Sequence, residues 1–212
     1  ELFVEREQDK SPVGNVYLGK VTRVLPGMQA AFIDISLDRA AFLHVEDVVV
    51  QEDMDNLLHG EEEEDRAVVD PEAREDHELA VEPKPRAAAR KVTRATPIRD
   101  VLKEGQPLMV QVSKGPIGTK GARVTSHIAL PGRYVVYLPT VEHIGISKRI
   151  GNEMERKRLR ESIEAVKPPQ GGFIVRTVAT GLTKKQLKAD VGYLVKQWEH
   201  VSKVRSETKS AP

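Results

Sequence analysis

The sequence predicts a mainly β fold with an α/β unit behind it: a five-stranded Greek-key barrel of the OB type, then a small sheet-and-helix subdomain. Three observations predict it. Short apolar, β-branched-rich runs joined by Pro/Gly turns fill most of the first 128 residues, a long acidic stretch interrupts them once, and from residue 129 strand-like runs alternate with segments of helical periodicity.

The elements follow in order. Glu1 to Val4 reads as the tail of a strand without a partner, and the chain stops at Ser-Ala-Pro, so both ends look cut. Gly14 to Ser36 holds two strands broken at Pro26-Gly27, a hairpin, and Ala40 to His44 a third strand, with Val45 to Asp47 beginning a turn or short helix. Residues 51–97 read as a disordered acidic insertion with a basic end, because so few apolar side chains cannot offset the entropy of ordering. It is either a solvated, variable loop or a mimic that shields a nucleic-acid groove. Leu108 to Ser113 and the run Ala122 to Ile128 supply the last two barrel strands. Beyond them, Pro131 to Pro139 and Gly172 to Val178 read as strands, 152–166 as a basic helix and 183–204 as a second helix. Thr183 would cap that helix, and Leu187, Val191, Leu194, Trp198 and Val201 form one apolar stripe, which is core.

Composition narrows the function classes. Among 212 residues, 39% are hydrophobic and 31% charged, no run approaches the length that spans a bilayer, and the N-terminal residues lack the basic and apolar pattern of a signal peptide, so a cytoplasmic chain is expected. Without cysteine there is neither a disulfide nor a thiolate metal site in these residues. The net charge of +1 conceals a division. Residues 51–97 carry 14 acidic and 7 basic side chains, net −7, whereas the remainder carries 26 basic and 18 acidic, net +8. A positive excess of that kind suits a phosphate-binding surface and equally an ordinary solvated one.

The residues that bear chemistry fall in two groups. Phe32 and Phe42 lie on adjacent strands, with Lys20, Arg23, Lys114 and Lys120 around them. Rings among cations are how OB barrels hold single strands, bases stacking on the rings while Lys and Arg follow the phosphates. The alternative is that both phenylalanines fill the barrel interior. Gly115 to Gly121 is glycine-rich but lacks the Gly-Lys-Ser/Thr ending and no helix follows, which excludes a nucleotide-binding loop and leaves a flexible basic turn. In the second unit Arg176-Thr177 leaves a strand, with Gly132 at the start of a neighbouring one. A guanidinium fork with a hydroxyl can clamp a terminal phosphate, although from spacing alone a surface Arg and a strand-end Thr explain the pair as well.

Gly14 to Ile35 with Arg39 to His44 closely resembles the S1 motif of the ribonuclease E/G family. The resemblance resumes at Ile98 to Gln106, Gly118 to Thr125, Leu130 to Pro139, Gly145 to Ile150 and Gly172 to Thr177, and omits the acidic insertion. It implies a single-strand-specific endoribonuclease of bacterial rRNA processing and mRNA decay that prefers a 5′-monophosphate end. On that resemblance Phe32, Phe42 and Lys120 touch RNA, while Arg176, Thr177 and the backbone near Gly132 and Val136 form a pocket for the 5′ end. It divides the chain into 1–6, a remnant of a ribonuclease-H-like segment; 7–128, the S1-motif barrel; 129–205, an α/β 5′-sensor subdomain; and 206–212, a linker toward a missing nuclease domain. Paired aspartates holding magnesium, and a cysteine pair holding zinc at a subunit interface, are expected beyond this chain, in a homo-oligomer. Within it, no catalytic residue and no metal ligand is expected, so the fragment should bind RNA without cutting it. A non-catalytic S1-motif RNA-binding protein is the alternative, and Arg176-Thr177 discriminates, since a plain binder needs no end pocket. Ser36 stands where the family usually has glycine, which should alter a tight strand-end turn.

Overall fold

The computed structural model describes residues 11–49, 96–208 and 211. The strand read at residues 1–4 and nearly all of the acidic insertion lie outside the described residues.

Five strands close the barrel in the order β1-β2-β3-β5-β4. β1 (Val16–Leu25) is long enough to pair with both β2 (Ala30–Asp34) and β4 (Pro107–Lys114), antiparallel in each case. It bends where its register slips between Val21 and Arg23, a bulge of the kind that lets a sheet curl. Gly19 sits at the closest approach, since a Cβ there would meet Ile33 and the Asp34 carbonyl at 2.6 and 2.7 Å. β3 (Ala41–His44) pairs with β2, and β5 (Arg123–Thr125) closes the ring, parallel to β3 and antiparallel to β4. Period-two alternation sends Val21, Ala31, Ile33, Ala41, Leu43, Val110, Val112 and Val124 inward, all almost without exposure. Where the chain returns after residue 95, the Gln29 side chain accepts the Ile98 N–H at 2.9 Å, and α1 (Ile98–Val101) adds Ile98 and Leu102 to this core.

The second sheet runs β6 (Leu130–Pro131), β7 (Val135–Leu138), β9 (Gly172–Val175), β8 (Ile144–Ile146). Against it lie α2 (Glu153–Glu164), capped by the Asn152 side chain, and α3 (Lys184–Glu207), opened by a Thr183/Gln186 capping box. Leu159 and Ile163 from α2 and Leu187, Val191, Leu194 and Trp198 from α3 bury against Val135, Tyr137, Phe173 and Val175. Tyr137 stacks on Phe173 with centroids 4.8 Å apart. Burial, helped by the Glu199 carboxylate, pushes the Tyr137 hydroxyl up to about 12. Val49, Met109 and Ile128 belong to this same cluster, so barrel and subdomain share apolar packing. Buried Gln111 joins them by hydrogen bonds too, donating to the Gly14 and Ala129 carbonyls and accepting the Ala129 N–H at 2.9 to 3.0 Å.

The sequence reading is revised at several ends. The run Pro131 to Pro139 is a hairpin, β6 turning into β7 through Gly132 to Tyr134, because three backbone N–H groups there bond the Asp190 carboxylate instead of a strand. The expected strand to Val178 stops at Val175, and Thr177 to Ala179 forms a 3₁₀ turn. β8 had no signal of its own, and α3 runs three residues past 204. Ser36 does occupy a left-handed position, φ 58°, with its N–H held by the Asp34 carboxylate at 2.9 Å.

Candidate nucleic-acid interface

On the barrel wall the register builds one row. Arg23 on β1 pairs with Phe32 on β2, Phe32 with Phe42 on β3, Phe42 with Arg123 on β5, and Arg123 with Lys114 on β4. Residues opposite one another in a ladder share a face. The flanking residues Ala31, Ile33, Ala41, Leu43 and Val124 face inward, so the row faces out. The two rings are therefore half-exposed and do not fill the interior, which removes that alternative. They meet edge to face, centroids 6.2 Å apart at 72°, leaving ring faces free to take a base.

The other four barrel candidates divide. Arg23 and Lys114 end the row. Lys20 lies further along β1, opposite Asp34 in the ladder. Lys120 is exposed on the β4–β5 turn, closed by mutual hydrogen bonds of the Ile117 and Lys120 backbones at 3.0 and 3.3 Å. The Arg39 guanidinium anchors that turn through the Thr119 carbonyl. Arg123, between Phe42 and Lys114 in the row, escaped sequence reasoning because it lies in an apolar run; only knowing that β5 pairs with β3 reveals it.

The second site forms where β8 and β9 end together. They run parallel with Ile146 opposite Val175, so Ser147 and Arg176 leave the sheet side by side. The Thr177 hydroxyl lies 3.0 Å from the Ser147 hydroxyl. Arg176 Nη1 donates to the Gly132 carbonyl at 2.9 Å and reaches that of Arg133 at 3.4 Å. A guanidinium has five N–H donors, and among the described residues only its Nη1 meets a protein acceptor. The structure thus brings Arg176, Thr177 and Gly132 together and adds Ser147. Val136 pairs with Pro131, next to Gly132, and its half-buried side chain lies opposite Ile174 on the sheet face away from the helices.

Three supports hold the segments that meet there. Asp190 on α3 accepts the N–H groups of Arg133, Tyr134 and Val135 at 3.2, 2.8 and 3.0 Å, and it presses so close that a Cβ on Gly132 would meet its Oδ2 at 2.7 Å. Arg156 on α2 donates to the Ser147 carbonyl at 2.9 Å. Glu155 and Arg158 pair through two bonds of 2.7 Å and then seize the loop after Thr177, Glu155 accepting the Gly181 N–H and Arg158 donating to the Leu182 carbonyl, each at 2.9 Å. The Arg158 guanidinium, then the Gly181 N–H, hold the Glu155 carboxyl down at about 2. No sequence signal marked Asp190 or Ser147, because each acts on a segment far along the chain.

A sequence model of the Ribonuclease E/G family matches residues 129–212. Ribonuclease G of Escherichia coli (strain K12) is 41% identical over 211 residues, 99% of this chain and 37% of the relative. The chain belongs to the ribonuclease E/G family. Ribonuclease G of Haemophilus influenzae is 38% identical over 212 residues, 99% of this chain and 37% of the relative, and ribonuclease E of Nostoc sp. is 34% identical over 199 residues, 93% and 23%. The chain therefore spans little more than a third of the ribonuclease G relatives it matches. The family model covers the subdomain that holds Arg176 and Thr177, while the pairwise matches extend over the barrel. Among the described residues of this ribonuclease E/G-family chain, no helix is long and apolar enough to cross a membrane. Nor do three or more His, Cys, Asp or Glu side chains converge among them as metal ligands.

Proposed function

We propose that this chain is the RNA-binding and 5′-end-sensing part of a ribonuclease E/G-type single-strand-specific endoribonuclease, acting in rRNA processing and mRNA decay in the cytoplasm. The observation that carries the reading is the outward row of two rings between cations, on a closed barrel, in a chain of this family. Bases stack on Phe32 and Phe42, while Arg23 and Lys114 on the wall, and Lys20 and Lys120 farther out, follow the phosphates. The 5′-monophosphate sits against Arg176, whose Nη1 is already committed to Gly132, leaving Nε and Nη2 for phosphate oxygens; Thr177 and Ser147 add hydroxyl donors. Binding holds the strand for hydrolysis by paired aspartates and magnesium outside residues 1–212, in a homo-oligomer with zinc at its subunit interface. This segment alone binds RNA and leaves it intact.

The test compares short single-stranded RNAs with 5′-monophosphate and 5′-hydroxyl ends. The parent should favour the monophosphate by about tenfold, roughly the 1.4 kcal/mol expected of one or two charge-assisted bonds, and Arg176→Ala should abolish that preference while keeping most affinity for the hydroxyl end. Equal affinity of the parent for both ends would sink the sensor assignment and leave a plain RNA binder.

A further inference from the structure

Arg123 and Asp47 are the part of the barrel face that the reading above does not use. Arg123 lies in register between Phe42 and Lys114, so it continues the row beyond the rings as Arg23 begins it on the other side. From Arg23 to Arg123 is three strand spacings, on the order of 14 Å, with both rings between. Arg123 Nη2 is engaged, donating to Asp47 Oδ2 at 2.8 Å. Asp47 is itself fixed: its carbonyl accepts the Ser126 N–H at 2.8 Å, the Ser126 hydroxyl at 3.0 Å and the Thr125 hydroxyl at 3.3 Å. The carboxylate therefore stands at a defined point against β5 and draws the guanidinium to it.

We infer that Arg123 is a phosphate contact of the RNA strip and that Asp47 is its built-in competitor, a carboxylate that holds the guanidinium in place until a phosphate takes it over. The inference rests on the barrel face being the RNA strip. The pair is open to solvent, with the Arg123 and Asp47 side chains 47% and 27% exposed. Exposed pairs of this kind contribute little to stability, so the contact is weak enough to exchange, and a phosphate offers guanidinium the same two-oxygen geometry as a carboxylate. The rings set where a base stacks, and Arg123 lies one strand beyond the second ring, where the backbone of a strand crossing the row must pass.

The experiment titrates the chain with a fluorescent 5′-hydroxyl oligouridylate, which leaves the end pocket without its phosphate, over a salt series. Arg123→Ala should weaken binding about 5- to 10-fold and flatten the log Kd against log salt slope by about 0.7, the loss of one single-strand phosphate contact. Arg123→Lys should keep the slope while losing part of the affinity, and Asp47→Asn should tighten binding about twofold or more by removing the competitor. Phe42→Ala reports on the strip itself. Parent affinity and slope in Arg123→Ala, with Phe42→Ala weakened, would overturn the inference and leave the strip standing. A loss in Asp47→Asn equal to that in Arg123→Ala at unchanged slope would make the pair structural only and also overturn it. A parent that binds no RNA, or a Phe42→Ala variant that binds as the parent does, would overturn the strip and the inference together.

Discussion

The row on the barrel wall and the proposed 5′-end pocket use the same residue types, cations with a flat or hydroxylic neighbour, but they are held by different means. On the barrel wall the ladder does the positioning: Arg23, Phe32, Phe42, Arg123 and Lys114 need only to be in register and to point outward. At the 5′-end candidate the strand pairing ends at Val175, and the segments carrying Gly132, Ser147, Arg176 and Thr177 are held by side chains on two helices, which bond the backbone of Tyr134, Ser147 and Gly181. A strip built on register tolerates changes away from the row. A pocket built on loops depends on residues that never touch the ligand.

Breaking Asp190 should separate the two most sharply. Asp190→Ala leaves two partly buried and one exposed backbone N–H without their acceptor and should cost about 2 to 3 kcal/mol of stability, read as the denaturant midpoint. In the protein that remains folded, preference for a 5′-monophosphate should vanish while affinity for a 5′-hydroxyl strand persists; loss of both in equal measure would show that strip and pocket are not independent. A smaller effect should appear in acid. The folded Glu155 carboxyl lies at about 2, below its ordinary 4.5, so its bonds to Arg158 and Gly181 contribute fully above pH 4.5 and are lost as pH falls toward 2. Melting temperatures of the parent should show an added fall across that window that Glu155→Gln lacks, and parallel curves would refute the assignment. Smallest, and confined to the barrel, is Ser36→Gly. The left-handed φ of 58° favours glycine, and the Asp34 bond to the residue-36 N–H survives the change, so stability should rise by about 0.5 to 1 kcal/mol with RNA binding untouched. A fall in melting temperature would show the serine hydroxyl to matter.

Much of this molecule was set locally. Pro26-Gly27 requires a turn, alternation along Ala30 to Asp34 and Ala41 to His44 separates inward Ala, Ile and Leu from outward Phe, and the Leu187 to Val201 stripe demands a helix with one buried face. For those reasons the barrel, the last helix and the candidate rings could be read in order along the chain. Residue identities also singled out Arg176 and Thr177, but not what they meet. That β5 lies parallel to β3, so that Arg123 enters the row beside Phe42, is a pairing between segments about 80 residues apart, and strand patterns carry no address for a partner. That Ser147 faces Thr177, and that Asp190 fastens the turn at Gly132, likewise follow from where a parallel pair ends and which side of α3 packs on the sheet. Short-range sterics and hydrophobic period wrote the elements into the sequence; the free energy of burying two connected cores chose which of their ends would meet.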